Sequence, residues 1–285
     1  LDVERRLGDP ALRLEHGAPA DGLPREAIRF EKVRFRYPGR DDDVYTELDL
    51  EIPAGHSLAI VGANGAGKTT LVKLLARLYE PDEGRITVDG VDVRDLRAES
   101  WQHRIAAIFQ DFQKYDLSAR DNVEFGSPHL IGDDAALRRA AERAGATGVI
   151  DELGQGWETP LSRQLTGGTD LSGGQWQRLA LARALFAVEG GAGVLVLDEP
   201  TANLDVRSEA ELYDRFLEVT RGLTTVVISH RFSTVRRADR IVVLDGGRVT
   251  EMGSHDELVA AGGTYAEMFE LQAARYVDDA EAVGA

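Results

Sequence analysis

The chain has 285 residues and a formal net charge of −16, with 43% hydrophobic and 29% charged residues. This is enough sequence to bury one large core or two smaller ones, and the composition is that of an ordinary globular protein. The negative charge argues against nucleic acid as a partner, because a phosphate backbone would be repelled. Since the sequence has no cysteine, a disulfide framework, a thiolate metal site and a cysteine nucleophile are excluded.

The two ends of the chain differ in composition from the middle. Residues 1–27 are polar and interrupted by glycine and proline, which predicts a linker. The sequence starts at Leu1 and not at Met, so we expect this linker to follow an upstream domain. No apolar run approaches the roughly 18 residues that a bilayer-spanning helix needs. Residues 273–285 are small and acidic, which predicts a disordered tail.

The first 90 residues carry the patterns of an antiparallel sheet. Apolar residues alternate with polar ones between Ile28 and Tyr37, which indicates a half-buried strand. Between Ile86 and Val93, the central dipeptide Asp89-Gly90 is typical of a hairpin turn. We therefore predict an N-terminal antiparallel β-subdomain.

Further along, short apolar runs alternate with helical patterns. Four runs have the length of buried strands: Leu58–Val61, Ile105–Phe109, Val194–Leu197 and Thr225–Ile228. Such runs suit a mainly parallel sheet that is covered on both faces. Residues 133–190 are rich in Ala, Leu and Arg, so we predict an α/β fold with an inserted helical subdomain at about 112–180. Near the end, Ser254-x-x-Glu257 and Thr264-x-x-Glu267 predict two capped helices.

The most specific motif is a glycine-rich loop between the first apolar run and a helix. It fits the pattern G-x-x-x-x-G-K-[ST] and runs through Gly62, Ala63, Asn64, Gly65, Ala66, Gly67, Lys68 and Thr69 to Thr70. Its glycines let backbone N–H groups converge on a phosphate, and the helix N-terminus adds positive potential. Lys68 is predicted to bridge the β- and γ-phosphates, and Thr69 is predicted to bind Mg²⁺.

Polar side chains follow three of the apolar runs. Asp198 and Glu199 come after Val194–Leu197, where Asp198 could hold Mg²⁺ and Glu199 could accept a proton from water. Gln110 and His230 stand in the same position after two other runs. Because ligands of open parallel sheets bind beyond the carboxyl ends of strands, we expect these residues at one site.

A second anion-binding loop lies more than 100 residues beyond the first. Ser172, Gly173, Gly174 and Gln175 precede an apolar helix that starts near Trp176. A serine and two glycines at a helix N-terminus favour binding of an anion. One chain therefore carries two loops that suit phosphate.

In this order the motifs resemble the nucleotide-binding domain of ABC transporters, over residues 28–272. Residues 62–69 are similar to the Walker A motif, residues 171–175 to the family signature and residues 194–199 to Walker B. The resemblance implies a P-loop NTPase with a RecA-like core that uses ATP and Mg²⁺.

The resemblance also implies roles for single residues. Tyr37 would stack on adenine, and Gln110 would be the Q-loop glutamine that touches both nucleotide and metal. Asp205 would belong to the D-loop, and His230 would be the switch histidine. The catalytic set that follows is Lys68, Gln110, Glu199 and His230, and the metal ligands are Thr69, Gln110 and Asp198.

Members of the family pair head to tail around two ATP molecules. The resemblance thus implies that Ser172 to Gln175 complete the ATP site of a second, identical or different, ABC domain. The stretch from Gly253 to Leu258, followed by Thr264-Tyr265, resembles the end of exporter domains that are fused behind a transmembrane domain. The resemblance to such exporters implies that the domain lies at the cytoplasmic face of a membrane. Residues 159–163 depart from the exporter pattern, which usually has a Thr-Glu-Val-Gly-Glu-like stretch there.

Two other functions stay open at this point. One is a soluble ABC ATPase of DNA repair or translation, which is disfavoured by the net charge and by the single cassette. The other is an importer ATPase made as a separate chain, which the linker and the C-terminal motif disfavour.

Overall fold

The computed structural model describes residues 17–109, 113–198, 216, 218–229 and 232–272, without the side chain of Ser233. The strands within these ranges are β1 Ala27–Phe35, β2 Tyr45–Pro53, β3 Ser57–Val61, β4 Glu83–Val88, β5 Val91–Asp92, β6 Ile105–Phe109, β7 Val194–Asp198, β8 Thr224–Ile228, β9 Arg240–Asp245 and β10 Arg248–Gly253. The helices are α1 Lys68–Leu75, α2 Ala98–Gln102, α3 Ala119–Glu124, α4 Asp134–Ala144, α5 Thr147–Asp151, α6 Gly173–Glu189, α7 Phe232–Val235 and α8 His255–Ala261, and residues 264–272 are also helical.

The first sheet is antiparallel, in the order β2-β1-β4-β5. The predicted hairpin turn is confirmed, because Asp89 and Gly90 connect β4 to β5 with φ angles of 50° and 83°. In β1 the register shifts between Phe30 and Val33, and Lys32 there has a φ of 49°. This irregularity explains why the apolar spacing widens from two residues to three at that point.

The second sheet has the order β10-β9-β3-β8-β7-β6. The four apolar runs form β3, β6, β7 and β8, which are parallel to one another along this order. The sequence patterns did not include β9, which pairs parallel to β3, nor β10, which pairs antiparallel to β9. The mainly parallel sheet is confirmed, with one antiparallel strand at its edge.

Both faces of β7 are buried, as a continuous apolar run predicts. Leu195 and Leu197 pack among helices α3 to α6, whereas Val194 and Val196 pack toward α1 and the first sheet. Helices α3 to α5 fall within the stretch predicted to be helical, and α6 continues to Glu189. The bounds of the domain and of its helical part stay predictions.

The described part of the predicted linker is in contact with the first sheet and with the turn that follows β5. Ala18 N donates to Asp95 O at 2.8 Å, and Ala20 is fully buried. The Asp89 carboxylate accepts the backbone N–H groups of residues 25–27. The chain is therefore held against the domain from residue 18 onward. In the part of the chain that the structure describes, none of the helices is both long and apolar enough to cross a bilayer.

The two C-terminal caps are built differently. Ser254 and Glu257 form the predicted capping box at the start of α8. The predicted capping role of Thr264 is wrong, because Thr264 is already helical and its N–H donates to Glu251 Oε1 at 2.6 Å. Glu251 also accepts from Tyr265 N at 3.1 Å, so a carboxylate on β10 caps the last helical segment.

Candidate functional site

The loop between β3 and α1 is fixed by close approaches of neighbouring chain. At Gly62 φ is 153°, and a Cβ would lie 2.3 Å from the carbonyl oxygen of Leu244 at the end of β9. At Gly67 φ is 98°, and a Cβ would lie 2.9 Å from Val44 and 3.0 Å from the ring of Tyr45. Both positions therefore require glycine. The loop leads directly into the N-terminus of α1, where unpaired backbone N–H groups favour an anion.

Tyr45, the first residue of β2, supports this loop from inside the domain. Its side chain is fully buried, and its hydroxyl donates to Gly67 O at 2.6 Å. Burial, with a smaller contribution from Tyr37, raises the pKa of Tyr45, so the phenol stays protonated and remains a donor. Nothing in the sequence motifs singles out Tyr45; its signal is only that an aromatic residue begins a strand.

Lys68 is the first residue of α1 and is 7% exposed. Its ammonium group donates to Gly62 O at 2.9 Å and to Ala63 O at 3.0 Å. A buried ammonium group needs such oxygen partners, because it has left water. These contacts fold the side chain back over the loop, so that its charge adds to the positive potential of the helix N-terminus.

Thr69 on α1 and Asp198 at the end of β7 are joined, although they are 129 positions apart in the sequence. Thr69 Oγ1 donates to Asp198 Oδ2 at 3.1 Å, and Asp198 is 7% exposed. Among the described residues, no group of three or more His, Asp or Glu side chains could hold a metal ion. Magnesium sites beside phosphates usually take only one or two protein oxygens, so a hydroxyl and a carboxylate fit such a site.

Tyr37 lies two residues beyond β1 and next to α1. Its hydroxyl is hydrogen-bonded to Thr70 Oγ1 at 3.0 Å, and Lys73 Nζ lies 5.2 Å from the centre of its ring. The rings of Phe35 and Tyr79 pack against it edge to face, with centroids 5.0 and 5.2 Å away. The side chain is thus half-buried beside the loop that contains Lys68. Its stacking on adenine stays a prediction.

The second predicted anion loop forms the N-terminus of α6, a helix of 17 residues. Ser172 Oγ accepts from Gln175 N at 3.3 Å, and Gln175 Oε1 accepts from Ser172 N at 2.9 Å. This reciprocal capping box fixes the start of the helix. At Gly173 and Gly174 a Cβ would meet no described atom within 4 Å, and neither residue has a positive φ. Within the described chain, nothing demands glycine at these two positions.

Four of the predicted site residues lie outside the described residues: Gln110, Glu199, Asp205 and His230. Their roles stay predictions. Gln110, Glu199 and His230 follow strands β6, β7 and β8, which are described. These three strands end side by side, since Phe109 pairs with Asp198 and Asp198 pairs with Ile228. This row of strand ends lies at the carboxyl edge of the parallel strands, which is the edge where such sheets bind ligands.

Known proteins are similar to this chain in sequence and in fold. The sequence pattern of the ABC transporter family matches residues 45–202. An ATP-dependent lipid A-core flippase of Chromohalobacter salexigens is 42% identical over 245 residues, which are 86% of this chain and 41% of that protein. The flippase of the same name from Desulfotalea psychrophila is 40% identical over 248 residues, 87% of this chain and 42% of the relative. The chain therefore spans about two fifths of these curated relatives.

A solved structure is also similar. It is a bacterial Atm1-family ABC exporter with ATP bound, and its sequence is 37% identical to this chain. The match covers 90% of this chain and 43% of the exporter chain, with a TM-score of 0.79. The predicted fold class is confirmed by this likeness: a P-loop NTPase core with a mainly parallel sheet, an antiparallel N-terminal sheet and helical parts.

Proposed function

Since this chain belongs to the ABC transporter family, we propose that it is the ATP-binding and ATP-hydrolysing domain of an exporter. The observation that carries the proposal is the buried contact of Thr69 with Asp198, because it joins a phosphate loop to an acidic strand end. The names of the relatives support export over import, and over the soluble ATPases of DNA repair or translation.

The nucleotide would be held by the first loop. Backbone N–H groups of residues 62–69 and the ammonium group of Lys68 would bind the phosphates, and Tyr37 would stack on the base. Thr69, Asp198 and Gln110 would hold Mg²⁺, which neutralises negative charge on the phosphates when it is bound. The described oxygens of Thr69 and Asp198 suit this hard cation.

Hydrolysis would use a water molecule that is activated by Glu199. The water oxygen attacks the γ-phosphorus, the bond from this phosphorus to the oxygen that bridges it to the β-phosphate breaks, and the water proton passes to the Glu199 carboxylate. Gln110 and His230 would orient the water and the γ-phosphate. Lys68 would stabilise the charge that develops on the transferred group.

The second loop would act on the ATP of a partner ABC domain. Ser172 caps α6, and the helix N-terminus beyond it can bind a phosphate. The open space at Gly173 and Gly174 supports this role, because glycine is required there only if an outside group comes close to the backbone. Residues 172–175 and Asp205 would thus lie at the dimer interface, and a twofold axis would create two such sites.

The exporter would also need a transmembrane domain. We propose that this domain lies upstream of the linker of residues 1–27 in the same polypeptide, and that the ATP-binding domain works at the cytoplasmic face of the membrane. The relatives are more than twice as long as this chain, which leaves room for such a domain in them. The cargo would be selected by its helices and not by the residues described here.

The first test replaces the proposed base by its amide, Glu199→Gln. We expect ATP binding to persist and kcat to fall about a thousandfold, since general base catalysis of this kind contributes roughly 10²–10⁴. The ATP-bound dimer should accumulate and can be measured by light scattering after size-exclusion chromatography. Glu270→Gln, at an exposed position of the last helical segment, is the matched control and should behave like the native protein. Unchanged turnover in Glu199→Gln would rule out this base.

The second test asks whether two chains share each site. Ser172→Arg and Lys68→Ala proteins should each be inactive alone. When they are mixed, half of the sites in a mixed dimer combine a sound Lys68 with a sound Ser172, so that some ATPase activity should return. If mixed dimers form, as shown by affinity tags, and no activity returns, the shared site is excluded.

A further inference from the structure

We propose that Asp170 and Trp176 form a clamp that positions the signature, residues 171–175, toward the ATP of the partner domain. This inference rests on the proposed shared site. The two residues bracket the signature, one immediately before it and one immediately after it. Neither residue belongs to the motifs that predict nucleotide binding, and we infer their role from their contacts alone.

The clamp consists of two hydrogen bonds to one carboxylate oxygen. Asp170 Oδ1 accepts from Leu171 N at 2.9 Å and from Trp176 Nε1 at 3.2 Å. The first bond holds the backbone where the chain enters the signature. The second bond ties the same carboxylate to the first turn of α6, so that the entering chain and the helix are fixed to each other.

The two side chains of the clamp differ in burial, and this difference explains why the carboxylate is drawn toward the indole. Trp176 is 2% exposed, whereas Asp170 is exposed. A buried indole N–H is costly without an acceptor, so the indole draws the carboxylate toward the core. The hydrogen bond from Trp176, followed by the one from Leu171, lowers the pKa of Asp170 below its ordinary value, with smaller contributions from nearby cations. The carboxylate is therefore charged at neutral pH, which strengthens both bonds.

A lysine on another segment covers the tryptophan. Lys114 Nζ lies 5.8 Å from the centre of the Trp176 ring, within the range of a cation–π contact. One residue earlier, Gln113 O accepts from Arg183 at 3.1 Å, and the Arg183 guanidinium lies 4.8 Å from the ring centre of Tyr115. Residues 113–115 are thus attached to α6 at two places, Trp176 and Arg183, and the first of these is the residue whose indole N–H donates to Asp170.

The capping box alone does not fix the direction in which the chain arrives at the helix. It ties Ser172 to Gln175 within the first turn of α6, and so it sets the local geometry of the cap. The clamp adds the entry angle, because it links Leu171 to Trp176 across the cap. Asp170 is a positioning residue in this scheme, since it acts through the signature and touches no reacting atom.

The first experiment measures ATPase kinetics of this chain with Asp170→Ala and Trp176→Phe. We expect each to lower kcat/KM about tenfold, the loss that one charge-assisted hydrogen bond supplies. Asp170→Asn keeps an acceptor oxygen and should stay within about twofold of the native value. The double variant should be no worse than Asp170→Ala alone, because that change already removes the bond that Trp176→Phe removes.

A positioning role predicts that Asp170→Ala lowers the rate but leaves the stability of the domain nearly unchanged. The midpoint of thermal unfolding should move by no more than about 2 °C in Asp170→Ala, because the carboxylate is exposed. The exposed Asp151→Ala is the matched control and should change neither rate nor midpoint. Native kinetics in Asp170→Ala, or a loss of rate that follows a loss of stability in proportion, would overturn the clamp.

The second experiment asks whether Asp170→Ala impairs the nucleotide site of its own chain or the site of the partner chain. Asp170→Ala protein is mixed with Lys68→Ala protein, beside the mixture of Ser172→Arg with Lys68→Ala. If Asp170 acts through the signature, both mixtures gain one sound site and activity should rise to the same level. If only the Ser172→Arg mixture recovers, Asp170 acts within its own nucleotide site and the clamp is wrong while the shared site stands. If neither recovers, the shared site itself fails, and the clamp fails with it.

Discussion

The two anion loops of this chain are built in opposite ways. The loop of residues 62–69 is surrounded by its own domain: the Leu244 carbonyl, the Tyr45 hydroxyl and the Asp198 carboxylate all approach it closely. In the signature, Ser172 caps its own helix, but a Cβ at either of the two glycines would meet no described atom within 4 Å. The first loop is therefore shaped by the fold of this chain, and the contrast supports the proposal that the second loop presents its backbone to a partner domain.

Lys68→Ala is expected to have the largest effect, and it acts on the first loop alone. Without the ammonium group, ATP affinity should fall about a hundredfold, since charged hydrogen bonds contribute about 1.5–3 kcal/mol each. Hydrolysis should fall to background. Isothermal titration with ATP measures the affinity, and the exposed Lys32→Ala is the control that should bind normally. Normal ATP affinity in Lys68→Ala would show that Lys68 does not bind the nucleotide, and would contradict the difference drawn between the two loops.

Gly62→Ala should be the most destabilising change in either loop. Its methyl group would meet the Leu244 carbonyl oxygen in a backbone conformation that alanine avoids, so we expect about 3 kcal/mol of lost stability. Gly65→Ala is the control within the same loop: φ is 84° there but a Cβ meets no described atom, which limits the loss to about 1 kcal/mol. Urea unfolding measures both, and equal losses would contradict the role of Leu244.

Tyr45→Phe tests the support under the first loop and its dependence on pH. Loss of the bond to Gly67 should cost about 1 kcal/mol at pH 7. Because the folded-state pKa of Tyr45 is raised, its contribution is complete below pH 10, the ordinary value, and is lost as the pH rises further and the unfolded chain ionises. The stability difference between native and Tyr45→Phe protein should therefore shrink above pH 10 in urea titrations. A difference that grew with pH would have the wrong sign.

Gly173→Ala should have the smallest effect on stability and still affect function. Its methyl group enters open space at a helical position, so the free energy of unfolding should change by less than about 0.5 kcal/mol. ATPase activity should nevertheless fall, because the partner's nucleotide would meet the added methyl group. Gly148→Ala, on α5 and equally open, should change neither property. A destabilised Gly173→Ala protein would show that the two loops are alike after all.

Features that depend on neighbouring residues in sequence were predictable. The strand Ile105–Phe109 was found with its bounds, because it is apolar throughout and followed by polar residues. The turn at Asp89-Gly90 and the cap at Ser254 follow from local chemistry in the same way. The strand β9 was missed although its apolar run, residues 241–244, is as long as three of the four runs that were recognised.

Features that depend on contacts across the fold were not predictable. The cap of the last helical segment is Glu251, 13 positions before Thr264, and only the position of β10 brings it there. Tyr45 supports Gly67 from 22 positions away, and no motif contains both residues. At the site, the motifs predicted that Lys68, Thr69 and Asp198 lie close together, because the loop and the ends of two strands fix their spacing, and their roles toward nucleotide and metal stay predictions.

The close approach of Leu244 to Gly62 bears on how this domain could change through mutation. Residue 62 is confined by β9, and residue 67 is confined by the start of β2. The substitutions that the phosphate loop tolerates therefore depend on two distant stretches of the chain. A library that randomises residues 62–67 alone should return glycine at these two positions. A library that also varies residues 44 and 45 should relax position 67 more than position 62, because the group that confines residue 62 is the backbone carbonyl of Leu244, which no substitution at 244 removes.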